Sequence, residues 1–202
     1  MVVEADRPPL ANNKRESCLT SGLIDEVKSV RAGADRLFDQ PTIEKVIDNL
    51  AAQVTVDYAG LNPILIFALK GGCYLGAKLM ERLDFPLQIE VLQLSRYQDQ
   101  LSGGQLQTGV VPVMPLTGRH LVIVDDILDK GITLAGMVDF CTASHPASVK
   151  SLVLIDKQCE RDTDISAEYV GLAAPDRYLF GCGMDYKGYW RNLPAIYAVA
   201  DK

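Results

Sequence analysis

The sequence has little of what marks a membrane, secreted or nucleic-acid-binding protein. No run approaches the ~18 consecutive apolar residues that a membrane-spanning helix requires. The first residues carry Glu4 and Asp6 instead of an apolar signal segment. Basic residues are too few for a general nucleic-acid binder, because 20 Lys and Arg stand against 26 Asp and Glu and give a net charge of −6. We therefore expect no membrane and no nucleic acid among the partners.

Cysteines at disulfide or metal-binding spacing are also missing. The five cysteines are odd in number, widely spaced and without a Cys-x-x-Cys pair: Cys18, Cys73, Cys141, Cys159 and Cys182. This pattern predicts neither a disulfide framework nor a structural zinc site, and the cytoplasm is the simplest location for it. The chain does have 202 residues, 48% of them hydrophobic, which is enough for one domain with a substantial core.

The segment Leu121–Thr133 carries the most functional information; it reads Leu-Val-Ile-Val-Asp-Asp-Ile-Leu-Asp-Lys-Gly-Ile-Thr. Its apolar start, without polar alternation, predicts a strand buried on both faces of a parallel sheet. Ligands bind at the carboxyl ends of such strands, so we expect Asp125 and Asp126 to emerge beside a ligand and not inside the core. The structural alternative is that these acids only end a strand and cap the helix predicted at Ile132–Ala143.

The turn Asp129–Thr133 follows the same strand and predicts a phosphate site. Gly131 can open a helix there, so that backbone N–H groups and the Thr133 hydroxyl face an anion. Carboxylates beside such a turn suit a sugar phosphate, because the sugar hydroxyls can donate to Asp125 and Asp126 while the phosphate accepts from the amides.

Strand and helix signals alternate along most of the chain, which predicts a doubly wound parallel sheet. A helix is expected from Thr42, the predicted N-cap, and Lys70-Gly71-Gly72 is expected to form a tight turn. The polar segment Gln98–Gln107 is predicted to form a mobile loop or a hairpin tip. Residues Met1–Ser21 are predicted to form a loose tail or a strand-and-loop addition to a lid. The other predicted elements are strands at Ile64–Leu69, Leu87–Leu94 and Ser151–Ile155, a helix to about Leu83, and apolar runs at Tyr178–Phe180 and Ala195–Ala200.

The segment Pro175–Pro194 is the second strong signal. Around its flexible glycines it places aromatic, acidic and basic side chains, among them Tyr178, Tyr186, Tyr189, Trp190, Asp185 and Arg191. Such a mixture can stack on a base and bind an anion, although aromatic-rich segments more often only pack.

Three motifs occur in an order that resembles the type I phosphoribosyltransferases, and among them the hypoxanthine-guanine enzymes. They are Lys70-Gly71-Gly72, the Asp-rich segment Leu121–Thr133 and the segment Pro175–Pro194, and the resemblance spans roughly Ala34–Asp201. It implies an α/β domain over 1–202 with a doubly wound, mainly parallel central sheet flanked by helices. The core is expected at about 34–160, with a small hood over the base site from terminal segments including about 161–202.

The resemblance implies an activity and roles for individual residues. The enzyme would transfer 5-phosphoribosyl from phosphoribosyl pyrophosphate to hypoxanthine or guanine, with Mg²⁺ as cofactor, and would form a homodimer or homotetramer. Asp129 is the expected catalytic general base or proton acceptor near purine N7. The residues expected to bind phosphoribosyl pyrophosphate are Lys70, Gly71, Asp125, Asp126, Asp129, Lys130, Gly131, Ile132, Thr133 and Arg191. Those expected to bind the purine are Lys157, Tyr178, Leu179 and Asp185, and the expected metal ligands are Asp185, Asp125 and Asp126.

The resemblance also implies a cis peptide bond between Lys70 and Gly71 and a lid loop that begins at Arg96 and Tyr97. The chain departs from the family pattern in Arg96, where a Ser-Tyr pair is usual, and in Lys130, where Thr is common. Asp125 occupies a position where Glu is frequent in the family. None of these changes removes a group that the reaction needs. The alternatives are a xanthine-preferring transferase and a non-catalytic nucleotide-binding regulator of the same fold.

Overall fold

The computed structural model describes residues 14–96 and 106–200. The helices in these ranges are α1 (Lys14–Gly33), α2 (Gln40–Tyr58), α3 (Gly72–Met80) and α4 (Ile132–Thr142). The strands are β1 (Asp35–Phe38), β2 (Ile64–Ala68), β3 (Gln88–Leu92), β4 (Leu94–Arg96), β5 (Leu106–Thr108), β6 (His120–Leu128), β7 (Ser148–Gln158), β8 (Tyr169–Pro175), β9 (Leu179–Phe180) and β10 (Ile196–Ala198).

Five parallel strands form the central sheet, in the order β3-β2-β6-β7-β8. Successive side chains point to opposite faces, so Leu65 and Phe67 share a core cluster with α2 and α3. Ile64 and Ile66 share the other cluster with α4. Because helices cover both faces, β2 is buried at all five positions, as its uninterrupted apolar sequence predicts. The expected doubly wound parallel sheet is confirmed.

A second sheet is antiparallel, has the order β1-β10-β9 and comes from terminal segments of the chain, as expected for the hood. We call it the hood sheet. Phe180 stacks on Tyr197 in it, with ring centroids 5.6 Å apart. The division of the chain differs from the expected one, because β8 lies within 161–202 but pairs with β7 in the central sheet. Tyr169 and Ala174 of β8 are buried in the core against α2, which keeps this strand in the central sheet.

Two local predictions near the start of the chain are wrong. Helix α1 occupies part of Met1–Ser21, for which a loose tail or a strand-and-loop addition to a lid was expected. Helix α2 begins at Gln40, and its N-cap is Asp39, whose side chain accepts a hydrogen bond from the Thr42 backbone N–H at 3.1 Å. Thr42 is therefore inside the helix. A proline in the first turn, which needs no N–H there, lets the helix start earlier than predicted.

The predicted loop Gln98–Gln107 lies mostly outside the described residues. Strands β4 and β5 on either side of it pair antiparallel, so the last two residues of the predicted loop belong to a strand. No helix within the described ranges is long and apolar enough to cross a membrane.

Candidate active site

Two adjoining cavities open at the carboxyl edge of the central sheet. The first, which we call the hood cavity, has a volume of about 340 Å³ and is lined by Leu69, Lys70, Gly71, Asp125, Asp126, Ile127, Asp129, Lys157, Arg177, Tyr178, Leu179, Met184, Asp185 and Arg191. The second, the loop cavity, has a volume of about 390 Å³ and is lined by Leu94 and residues 125–134. Every predicted site residue whose side chain the structure describes lines one of these cavities.

Asp125 and Asp126 lie where the two cavities meet, but they lie within a strand. The prediction that they emerge after the strand is wrong, because β6 keeps pairing with β7 as far as Leu128. Asp126 is only 6% exposed. Burial, together with the neighbouring Asp126 carboxylate, raises the pKa of Asp125 well above its usual range. Burial also raises the pKa of Asp126 to about 6, while a hydrogen bond with Asp125 and the charge of Arg191 oppose the increase.

The turn after β2 closes tightly on this acid pair. A Cβ atom at Gly71 would lie 2.1 Å from Asp126 Oδ2, so only glycine fits there. A Cβ atom at Gly183, whose φ is +105°, would lie 2.3 Å from the Gly71 carbonyl oxygen. The cis peptide bond joins Leu69 and Lys70, one residue earlier than the resemblance implied. Gly71 already has the backbone angles of a right-handed helix and leads directly into α3.

The turn from Asp129 to Thr133 forms one wall of the loop cavity and opens α4, as predicted. Gly131 precedes the first helical residue and has φ of +86°, a left-handed conformation that favours glycine. A Cβ atom there would lie 2.2 Å from Thr163 Oγ1. Lys130 Nζ donates to the Glu160 carbonyl at 2.7 Å, which holds the segment after β7 against the turn. The free N–H groups at the start of a helix are suited to an anion.

Lys157 lies between two carboxylates at the end of β7. Its Nζ is 3.1 Å from Asp129 Oδ1 and 3.0 Å from Asp176 Oδ1, and the side chain is 12% exposed. Burial lowers the pKa of Lys157, but the bonds to Asp176 and Asp129 outweigh it and raise the pKa above its usual range. The ammonium is therefore retained at neutral pH. The Cys159 thiol donates to Asp129 Oδ1 at 3.3 Å.

Tyr178 presents an open aromatic face to the hood cavity. The side chain is 54% exposed, and its ring meets that of Tyr186 edge-on with centroids 5.5 Å apart. Burial and the nearby Asp185 carboxylate raise the pKa of Tyr178, while a hydrogen bond from the Lys187 backbone lowers it. Leu179 follows at the start of β9 and is buried, so its backbone lines the cavity beside the ring.

Arg191 connects the far side of the hood cavity to the acid pair. Its guanidinium forms an ion pair with Asp185, and Nη1 lies 3.9 Å from Asp126 Oδ2. The same Nη1 donates to the Gly183 carbonyl at 2.6 Å. Asp185 in turn accepts from the Gly188 backbone N–H at 2.6 Å. These bonds fold the segment around the guanidinium and point it at the place where an anion would lie.

Sequence reasoning missed several residues of the hood cavity: Leu69, Ile127, Arg177 and Met184, together with Asp176 beside it. Asp176 follows Pro175 and precedes Arg177 and Tyr178 in the motif already singled out, so its position was a usable signal. Its ion pair with Lys157 could not be predicted from the sequence, because the two residues lie on separate segments of the chain. The lid residue Tyr97 lies outside the described residues, and Arg96 is described only as the last residue of β4.

The carboxylates fit a magnesium ion that is shared with a substrate. Mg²⁺ in such sites is held by one or two carboxylates and takes its other ligands from water and substrate phosphates. Asp125 and Asp126 together, or Asp185 on the other side of Arg191, could each supply one or two oxygens. A tight group of three possible ligands occurs elsewhere in the described residues, at Asp129, Cys159 and Asp176. Lys157 already places its positive charge between the two acids of that group.

The comparison with known proteins agrees with this geometry. The family described as "Phosphoribosyl transferase domain" matches residues 33–187. The hypoxanthine-guanine phosphoribosyltransferase of Streptococcus pneumoniae is 35% identical over 179 residues, which are 86% of this chain and 94% of the relative. The chain belongs to the type I phosphoribosyltransferases, among their hypoxanthine-guanine members. The resemblance inferred from three motifs is thus confirmed.

A further relative and a solved structure are also similar to this chain. The hypoxanthine-guanine-xanthine phosphoribosyltransferase of Tritrichomonas foetus is 34% identical over 161 residues, 79% of this chain and 88% of that protein. The structure of hypoxanthine phosphoribosyltransferase from Trypanosoma cruzi in complex with the product IMP has a TM-score of 0.77 and 32% sequence identity to this chain. It covers 83% of this chain and 95% of that one. The protein is a transferase of purine salvage.

Proposed function

We propose that this transferase moves the 5-phosphoribosyl group of phosphoribosyl pyrophosphate to hypoxanthine or guanine, giving IMP or GMP and pyrophosphate. The observation that carries the proposal is Lys157, a retained ammonium that lines the same cavity as the exposed ring of Tyr178. An ammonium group can donate a hydrogen bond to the oxygen at purine position 6 but accepts none from the amino group of adenine. Lys157 therefore favours 6-oxopurines.

The hood cavity takes the base in this proposal. Tyr178 stacks on the purine ring, and the Leu179 backbone reads the edge of the ring near position 2. Asp129 lies 3.1 Å from Lys157 Nζ, so a base bonded to that ammonium through its 6-oxo group brings N7 close to the carboxylate. Asp129 accepts the purine proton as N9 attacks the sugar, which is general base catalysis.

The loop cavity takes the 5′-phosphate, and the acid pair takes the ribose. Backbone N–H groups from Asp129 to Thr133, with the Thr133 hydroxyl, donate to the phosphate oxygens. Asp125 and Asp126 accept from the 2′ and 3′ hydroxyls. Their raised pKa fits this role, because hydroxyl donors replace the water that these buried carboxylates lack.

Pyrophosphate leaves toward Arg191 and the Lys70–Gly71 turn. Displacement at C1′ passes through a sugar with oxocarbenium character, so negative charge develops on the departing group. The planar guanidinium of Arg191 binds phosphate oxygens in pairs, and it exchanges its bond with Asp185 for bonds with pyrophosphate. Asp125 with Asp126, and separately Asp185, would hold Mg²⁺, which would supply positive charge to neutralise part of that negative charge.

We also propose a cytoplasmic homo-oligomer, a dimer or tetramer. Where the structure describes cysteine side chains, all of them are free thiols, as is typical of a reducing compartment. They are Cys73, Cys141, Cys159 and Cys182. The oligomer rests on the family resemblance alone. Light scattering coupled to size-exclusion chromatography tests it, and a monomeric mass at micromolar concentration would contradict it.

The test of the function follows nucleotide formation from phosphoribosyl pyrophosphate with hypoxanthine, guanine, xanthine and adenine, with Mg²⁺ and with a chelator. We expect Mg²⁺-dependent turnover of hypoxanthine or guanine and none of adenine. Turnover of xanthine alone would keep the chemistry but change the base, as the name of the Tritrichomonas relative allows. A folded protein that binds phosphoribosyl pyrophosphate but converts no base would instead support a non-catalytic regulator.

A further inference from the structure

Helix α1 packs against the part of the chain that shapes the hood cavity. The matched family domain begins at residue 33, which is the last residue of α1. Val27 of this helix is 2% exposed, and its carbonyl accepts from the Trp190 indole N–H at 2.8 Å. Val30 packs against the apolar cluster of the hood sheet. The helix is therefore fixed on the hood by both apolar contacts and hydrogen bonds.

Glu26 extends this docking to two residues of the segment that follows β9. Its carboxylate accepts from the Tyr186 hydroxyl at 2.9 Å. It also accepts from Lys187 Nζ, at 2.6 Å to one oxygen and 2.9 Å to the other. One side chain from outside the matched domain thus holds two neighbouring residues beside the active site.

Tyr186 and Lys187 both lie beside the Tyr178 side chain. The Tyr186 ring meets Tyr178 edge-on at 5.5 Å between centroids, with an angle of 75° between the planes. The Lys187 backbone lies close enough to the Tyr178 hydroxyl to lower the pKa of that hydroxyl. Tyr178 is more than half exposed, so little other packing fixes the orientation of its ring. Both of these contacts to Tyr178 come from residues that Glu26 holds.

We propose that Glu26 is a positioning residue for purine binding: by holding Tyr186 and Lys187, it orients the Tyr178 ring on which the base stacks. The inference rests on the proposed function, because it takes the purine as the ligand of the hood cavity. Glu26 touches neither substrate. Its effect falls on the base and leaves the phosphoribosyl pyrophosphate side unchanged, since the contacts it makes lie on the hood.

The test compares Glu26→Ala with Asp25→Ala, which removes a neighbouring exposed acid from the same helix. We expect Glu26→Ala to raise the KM for hypoxanthine about threefold, the range of an exposed ion pair and hydrogen bond. The kcat and the KM for phosphoribosyl pyrophosphate should stay within twofold of wild type, and Asp25→Ala should match wild type throughout. Tyr186→Phe should produce part of the shift on its own, and adding it to Glu26→Ala should add little.

Equal constants for Glu26→Ala and Asp25→Ala would overturn the inference. A parallel increase in both KM values would do so as well, because it would indicate general loosening of the fold. Calorimetric binding of IMP to the same variants gives a readout independent of turnover, with weaker binding expected for Glu26→Ala only. A wild-type protein that binds IMP but forms no nucleotide would overturn the proposed function alone. One that neither binds IMP nor forms nucleotide would overturn both.

Discussion

The loop cavity and the hood cavity share the acids Asp125, Asp126 and Asp129, yet they are built in opposite ways. The loop cavity comes almost entirely from one uninterrupted stretch, residues 125–134, and offers backbone N–H groups at a helix start. The hood cavity comes from four separate stretches of chain, and charged side chains connect them across its walls.

This difference sets how each cavity responds to its ligand. Backbone N–H groups at the start of α4 are fixed by the helix, so an anion would bind there without rearrangement. In the hood cavity, Lys157 already pairs with Asp129, and Arg191 with Asp185. In the proposed function, a substrate must compete with these bonds or fit beside them, which makes selection among ligands depend on how well each one does so. We therefore propose that the loop cavity supplies affinity for the sugar phosphate and that the hood cavity discriminates among bases.

The largest effect on activity should come from Asp129→Asn, because Asp129 lines both cavities. We expect kcat to fall about 10³-fold, the usual size of a general-base contribution, because the amide cannot take the purine proton. Binding of phosphoribosyl pyrophosphate, measured by calorimetry, should change far less. Asp139→Asn, an exposed acid on α4, is the matched control and should behave as wild type. An equal loss in turnover and in sugar-phosphate binding would contradict the general-base role.

The next effect should come from Gly131→Ala, which disturbs the loop and leaves the hood intact. Its φ of +86° strains any residue with a side chain, and the new methyl would lie 2.2 Å from Thr163 Oγ1. We expect kcat/KM for phosphoribosyl pyrophosphate to fall about 30-fold, consistent with a strain of roughly 2 kcal/mol. The preference among bases should stay the same.

Gly118→Ala separates this local effect from backbone strain in general. Gly118 also has a positive φ, +69°, but no atom lies within 4 Å of a Cβ atom added there. Both variants should lower the melting temperature, whereas only Gly131→Ala should raise the KM for phosphoribosyl pyrophosphate. Equal kinetic losses in the two variants would show that the loop has no special role.

The contrast between the cavities also explains how far the sequence could predict the site. Residues 121–133 hold a strand, its acids and the phosphate turn in one stretch, so the loop cavity was predictable from residue types and spacing. The hood cavity was not, because Lys157, Tyr178 and Arg191 lie on separate segments and only the family resemblance related them. Asp176 was missed because its ion pair with Lys157 exists only after β7 and β8 align.

The fold was predictable where apolar runs are long and was missed where they are short. Strands β2, β6 and β7 each contain a continuous apolar run, and each was found from that run. Strands β6 and β7 extend beyond their runs, as far as Leu128 and Gln158, which was not predicted. Strand β8 was missed, because it carries Gly171 and only part of its length is buried. Helix α1 was missed because its mixed polar sequence shows no strong period, and it is held by contacts with Trp190 and Tyr186 far along the chain.

The smallest of these three kinetic effects should come from Lys157→Ala. This substitution should change the discrimination between bases more than any other property of the enzyme. Loss of the ammonium removes the donor to the 6-oxo group, so we expect the preference for hypoxanthine over adenine to fall about tenfold, near the lower range for a charged hydrogen bond. The KM for phosphoribosyl pyrophosphate should remain within about twofold of wild type, because the loop is untouched. Competition of the two bases in one reaction measures the preference directly. An unchanged ratio would place discrimination elsewhere and would remove the assignment of Lys157 as the selecting residue.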